Sequence, residues 1–171
     1  FEADVMIRFM KSAYQAAKKA DQDYIVSGLG FCTTKRAEYI FKRGGLNYLD
    51  KITIHYFTDT DRPGGKYFGE CIEDLKAAMR KYGKEVGIWV TEEGEPNAST
   101  YYDDITITYS ENNPYGTTMS EEALADKIIQ RNIIAKAHGV ERYATFVLPG
   151  GTISRPFLFG LTYYSSPKAV I

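Results

Sequence analysis

This chain has almost no excess of charge of one sign and little cysteine, histidine or tryptophan. Lys plus Arg number 21 and Asp plus Glu 22 among 171 residues, a formal charge of -1. No broad field therefore recommends nucleic acid or an acidic membrane as a partner. No apolar run approaches the roughly 20 residues that a membrane-spanning helix needs. Cys32 and Cys71 are the two cysteines, too few for a disulfide framework or a metal site. A single bridge between them and two buried thiols both stay open, and the compartment stays open with them. With His55 and His138 as the two histidines, no metal cluster is visible, and neither metal nor cofactor is expected. Nothing at the Phe1 end has the pattern of a signal peptide, and a chain beginning this way is expected to be processed or truncated.

Tyrosine is what the chain has in quantity: 14 Tyr and 9 Phe stand against one Trp. With 44% apolar residues, intrinsic disorder is excluded, and the length fits one domain. Tyrosine joins a flat apolar ring to a hydroxyl, which suits amphipathic ligands such as sugars, and equally a tyrosine-rich core.

Hydrophobic periodicity alternates between helix and strand along the chain. Residues 3–20 carry Val5, Phe9, Ala13, Ala16 and Ala17 at helical spacing. Residues 24–28 read as a short apolar strand, with Leu29-Gly30 opening a loop. A brief helix is expected over 34–43, stopped by Gly44-Gly45, and a β-branched and aromatic strand over 51–57. Residues 68–82 form a helix with Phe68, Ile72, Leu75, Ala78, Met79 and Tyr82 on its buried stripe and Gly83 as its cap. Residues 86–91 are a continuous apolar strand, of the kind found in parallel sheets covered on their faces by helices. A polar stretch follows, with a small hairpin at 105–109. A helix capped by Ser120 then runs to His138 and Gly139, and a fourth strand covers 142–148. The pattern is a repeated βα unit, hence an α/β fold with a parallel sheet.

In such folds the site lies at the carboxyl ends of the strands. Gly28, Leu29 and Gly30 stand there on the first strand, His55 and Tyr56 on the second, Glu92 and Glu93 on the third, and Phe146 and Leu148 on the fourth. A carboxylate directly after an apolar strand is the most informative of these, because burying it beside the sheet end costs several kcal/mol unless partners compensate. A glutamate in that position is also a common loop residue. His55 reads equally as a hydrogen-bonded core histidine. Glu93 reads as a solvated or loop-fixing carboxylate, and Trp89 as a core residue.

The segment Tyr48-Leu49-Asp50-Lys51-Ile52-Thr53-Ile54-His55-Tyr56 resembles the sixth strand of clan A glycoside hydrolases, the retaining (β/α)8-barrel enzymes. Residues 79–94, from a Lys-Tyr-Gly helix end to Thr91-Glu92-Glu93-Gly94, resemble their sixth helix and seventh strand. His138-Gly139-Val140 before residues 143–148 resembles the approach to strand eight, and Phe159-Gly160-Leu161 with Pro167-Lys168-Ala169 resembles the lead into the last helix. Helix 3–20 and strand 24–28 resemble helix four and strand five. Within the clan, the beta-xylosidase and iduronidase-like family is the nearest in pattern. The resemblance implies the C-terminal half, strands 5 to 8, of a TIM barrel, and a carbohydrate partner. It implies that Glu92 is the catalytic nucleophile, that His55 lines the sugar site, and that Tyr56 orients the Glu92 carboxylate. It also implies an extracellular or secretory location.

The chain departs from the clan pattern in four places. Phe146 stands in the region where many members carry a sugar-flooring Trp, so the aromatic platform would come from Phe146 or from Tyr101, Tyr102, Tyr115, Phe157 or Tyr163. Many members place the tyrosine two positions after the histidine, where this chain has Phe57. No Asn-Glu pair occupies the place of the clan's acid/base, which belongs to strand four, and an insertion from Glu93 to Thr118 follows the nucleophile strand. Both chain ends fall inside the resembled domain, so a missing N-terminal half, another copy or a partner chain is expected to close the barrel. Three readings follow: half of a retaining glycosidase, an inactive glycosidase-like carbohydrate-binding or structural protein, and an open doubly wound sheet, the last lacking a glycine-rich phosphate loop.

Overall fold

A computed structural model describes residues 3–31, 34–56, 68–93 and 121–145. Helix α1 (Ala3–Ala20) leads to strand β1 (Ser27–Phe31). Helix α2 (Thr34–Phe41) and a 3-10 turn (Gly45–Tyr48) lead to β2 (Lys51–Tyr56), helix α3 (Phe68–Tyr82) to β3 (Gly87–Glu93), and helix α4 (Glu121–Ala137) to β4 (Arg142–Tyr143). The four strands pair in sequence order, β1-β2-β3-β4, every pair parallel. The α/β class and the parallel sheet read from the periodicity are therefore present.

One face of the sheet carries the helices. Ile52, Ile54 and Tyr56 of β2 and Ile88 and Val90 of β3 are buried there, together with Phe68, Ile72, Leu75, Ala78 and Met79 of α3 and Ala37, Ile40 and Phe41 of α2. Burying each large aliphatic side chain stabilises by about 1.5–3 kcal/mol, and period-2 alternation fixes which residues take part. Lys51, Thr53 and His55 point to the opposite face.

The helix that ends at Gly139 shows its stop signal in full. Gly139 takes φ +72°, its amide donates to the Lys136 carbonyl (3.1 Å), and the Val140 amide donates to Ala135 (2.9 Å). This is the left-handed cap that glycine accommodates without a Cβ clash, closed by contact between buried Val140 and Ala135. Lys76 of α3 adds a 2.6 Å bond to the His138 carbonyl.

The first strand lies later than its apolar run predicts. Tyr24 and Ile25 are exposed, and pairing begins at Ser27 opposite Lys51. Asp50 is the cause: its carboxylate accepts the Val26 amide at 2.8 Å and pairs with Lys18 at 2.9 Å. The Val26 carbonyl in turn accepts the Asp50 and Lys51 amides at 2.8 and 3.2 Å, so Val26 leads into the ladder that opens at Ser27. Leu29-Gly30 belongs to β1 as an irregularity in its pairing with β2, not to a loop. The third strand runs past residue 91 to include both glutamates. The hairpin expected at 105–109 and residues 146–148 of the expected fourth strand fall outside the described residues, and β4 covers Arg142–Tyr143. No helix among the described residues is long and apolar enough to cross a membrane.

Candidate active site

The carboxyl ends of β1, β2 and β3 assemble a small group on the face turned away from the helices. On β1, Leu29 (φ 93°) and Gly30 (φ 48°) both adopt left-handed backbone, and the Gly30 amide donates to Thr53 Oγ1 at 2.9 Å. This turn brings the β1 backbone against the His55 ring: a Cβ on Gly30 would stand 3.0 Å from His55 Nε2. Glycine is thus required at residue 30 by close approach as well as by φ. On its other side, His55 Nδ1 lies 3.4 Å from Glu92 Oε2.

The His55–Glu92 contact depends on a bulge. Ile54 pairs with Val90, but His55 pairs with Glu92 and Tyr56 with Glu93, so Thr91 is an extra residue on β3. An extra residue exchanges the faces of everything beyond it. Glu92 consequently joins His55, and Glu93 joins Tyr56. His55 and Glu92 are 28% and 38% exposed at their side chains, so a ligand can reach both.

Glu93 lies on the helix-covered face, with none of its side chain exposed. Arg131 of α4 forms a buried ion pair with its Oε1, and the Tyr143 hydroxyl donates to its Oε2 at 2.6 Å. Phe68 packs on Tyr56 with ring centroids 4.7 Å apart and meets Tyr143 edge-on at 6.4 Å. The Arg131 guanidinium stands 5.5 Å from the Tyr56 ring centroid. Burial, and then the charge of the Glu93 carboxylate and the bond to it, push the Tyr143 hydroxyl well above the ordinary tyrosine range.

His55 and Glu92 are therefore brought together on one face at the strand ends. Tyr56 is not: it sits in register with Glu93, its side chain under Phe68 and Arg131, because a residue directly after His55 must face the other way. The assignment of Tyr56 as the group that orients Glu92 is corrected on that ground. Glu93 is neither solvated nor in a loop but a fully buried strand residue. Trp89 is half-buried on the His55 face rather than in the core, its indole N–H donating to Glu141 at 3.1 Å and Arg142 stacked 4.3 Å from its ring centroid. Phe146, Tyr101, Tyr102, Tyr115, Phe157 and Tyr163 lie outside the described residues, as does Cys32. Cys71 is half-buried on α3.

The Glu93–Arg131–Tyr143 cluster was not anticipated, although its signals are in the sequence. Two consecutive carboxylates on a strand cannot share a face, so one must meet the helix layer and find a cation there. Arg131 stands within the apolar stripe of α4, between Ile128 and Ala135. Among the described residues no group of three or more His, Cys, Asp or Glu could hold a metal ion.

No protein-family pattern and no curated sequence matches the chain. Solved structures do. A beta-glucuronidase from Ruminococcus gnavus is 17% identical with a TM-score of 0.60, the match covering 98% of this chain and 28% of that one. A beta-galacturonidase from Eisenbergiella tayi, bound to galacturonate, is 15% identical with a TM-score of 0.65, over 97% of this chain and 29% of that one. A thermostable mutant of a xylanase from Cellvibrio japonicus is 14% identical with a TM-score of 0.55, over 95% and 52%. These proteins are barrels of glycoside hydrolase clan A, and at such identities the likeness is one of fold. The chain spans less than a third of the length of the glucuronidase and galacturonidase it matches.

Proposed function

We propose that this chain is the strand-5 to strand-8 half of a retaining glycoside hydrolase and that Glu92 is its nucleophile. One observation carries the reading: Glu92 stands at the carboxyl end of a parallel strand, partly exposed, on the same face as His55 and 3.4 Å from it. That is where barrel folds place their reacting groups.

Double displacement sets the chemistry. The Glu92 carboxylate attacks the anomeric carbon as the glycosidic C–O bond breaks, and the leaving oxygen takes a proton from a second carboxylic acid. Water, deprotonated by that same group, then attacks the anomeric carbon, releasing Glu92 and the sugar. The second carboxyl must stand about 5–5.5 Å from Glu92. It is assigned to the other half of the barrel, whose strands would flank β1 and β4. His55, held between Gly30 and Glu92, lines the sugar site. The partner is a carbohydrate.

The test uses the complete protein that carries these residues. Glu92→Ala is expected to abolish turnover of activated aryl glycosides, and added azide to restore it by attacking the vacated face, giving a glycosyl azide of inverted configuration. Full activity in Glu92→Ala would sink the assignment. Tyr56 facing away from Glu92 favours a second reading, a barrel that binds carbohydrate without cleaving it. Sugar binding by the unaltered protein with no turnover of any glycoside would select that reading.

A further inference from the structure

We propose that Glu93 is the positioning residue for Glu92: anchored by Arg131 and Tyr143, it holds the bulge at Thr91 and so decides which of two adjacent glutamates reaches the sugar-binding face. The catalytic consequence rests on Glu92 being the nucleophile; the effect on strand register does not.

The argument starts from alternation. Trp89 and Thr53 are paired on the face of His55, and Val90 and Ile54 on the helix-covered face. Continued without interruption, β3 would turn Thr91 to the His55 face, Glu92 to the helices and Glu93 back to His55. The two registers thus differ by exchanging one carboxylate for the other, with little change in local chemistry. Strand pairing alone has weak grounds to choose between them, and the helix layer supplies the choice. In the bulged register the Glu93 carboxylate meets Arg131 on one oxygen and Tyr143 on the other, in a site sealed by Tyr56 and Phe68. Both partners are fixed from outside β3: Arg131 on α4, and Tyr143 on β4, in register with Val90. A bulge puts strain on a strand and leaves a residue unpaired; a buried, doubly bonded carboxylate on its far side holds it in place.

The test places a cysteine at Glu92 in the complete protein and follows its reaction with N-ethylmaleimide by mass spectrometry of the peptide carrying residue 92. Glu92→Cys in the otherwise unaltered protein is expected to react readily, since that side chain faces solvent. Adding Arg131→Met is expected to slow the reaction by about tenfold or more while unfolding stays cooperative, as residue 92 turns toward the helices; Arg131→Lys, which keeps the charge, holds the rate within about threefold of the parent. A parental rate in folded Arg131→Met, or an equal slowing in Arg131→Lys, overturns the proposal. Should Arg131→Met not fold, Tyr143→Phe carries the test, with a slowing of about threefold expected and an unchanged rate contradicting it. With Glu92 intact, Arg131→Met is expected to lower kcat about tenfold or more on an aryl glycoside with KM nearly constant, because the reacting carboxylate and not the sugar site is displaced. Absence of turnover in the unaltered protein would sink the glycosidase reading, while the labelling rates would still decide the register.

Discussion

Two glutamates, adjacent on β3, occupy opposite sides of one sheet. Glu92 shares the His55 face, partly exposed, in a contact loose enough to admit a ligand. Glu93 lies among Arg131, Tyr143, Tyr56 and Phe68 with no surface left to water. The residue type is the same, and the surroundings separate the roles. A carboxylate that reacts must be reachable and free to change partners, whereas one that holds structure must be enclosed and saturated with hydrogen bonds. Substitutions on the two sides should therefore report on different quantities, and each of the following can break or sharpen that contrast.

The largest effect is expected at Glu92. Glu92→Gln should lower kcat/KM of the complete protein by at least about 10³-fold. It should move unfolding free energy by less than about 1 kcal/mol, since the contact it removes is exposed. A variant that loses stability and keeps activity would reverse the contrast. Next comes the buried side: Arg131→Met leaves a buried carboxylate without its cation and should cost about 3–5 kcal/mol in urea unfolding. A loss below about 1 kcal/mol would mean that the ion pair is not sealed from water.

Tyr143→Phe should cost about 1.5–3 kcal/mol by removing a hydrogen bond to a charged acceptor. It also carries a pH signature. The Tyr143 hydroxyl is raised above its unfolded value, so its contribution is fully present below the unfolded value near pH 10 and is lost as pH rises beyond it. Unfolding measured from pH 8 to 11 should show an alkaline loss that is smaller in Tyr143→Phe; identical slopes would contradict the burial of that hydroxyl.

The smallest of these effects lies at the other end of the sheet. Burial raises the Asp50 carboxyl, but the Val26 amide, Lys18 and the Tyr14 hydroxyl together outweigh it and hold it below its ordinary value. Its contribution is present above the unfolded value near pH 4 and is lost as pH falls through the lower folded value. Asp50→Asn should cost about 1 kcal/mol at neutral pH and flatten the acid limb of stability. It should leave turnover unchanged, because groups at the amino ends of barrel strands serve stability. A fall in kcat would break the division between the two ends.

The helices were legible because their signals are local. The 68–82 stripe and the glycine after His138 give α3 and the end of α4 without reference to anything distant. The third strand was placed from its apolar run, and the carboxylate at its end was noticed for the cost of leaving a charge there. What sequence reasoning missed depends on contacts far apart in the chain. Tyr24-Ile25-Val26 looks like a strand, yet Asp50 decides where pairing begins. Tyr56 looks like a partner for Glu92, yet the Thr91 bulge puts it with Glu93. Single-chain periodicity counts residues along one strand, whereas a bulge is a relation between two strands. The partner of Glu93 sits 38 residues away on a helix, where an arginine within an apolar stripe was the available sign.

The most direct test of the account is to treat the complete protein with a panel of activated 2-deoxy-2-fluoro glycosides, pentose, hexose and uronic, and to map the covalently modified peptide. The account predicts that whichever sugar inactivates the protein is found as an ester on Glu92, with Glu93 unmodified. A sugar carried by Glu93, or by any other carboxylate, would contradict it.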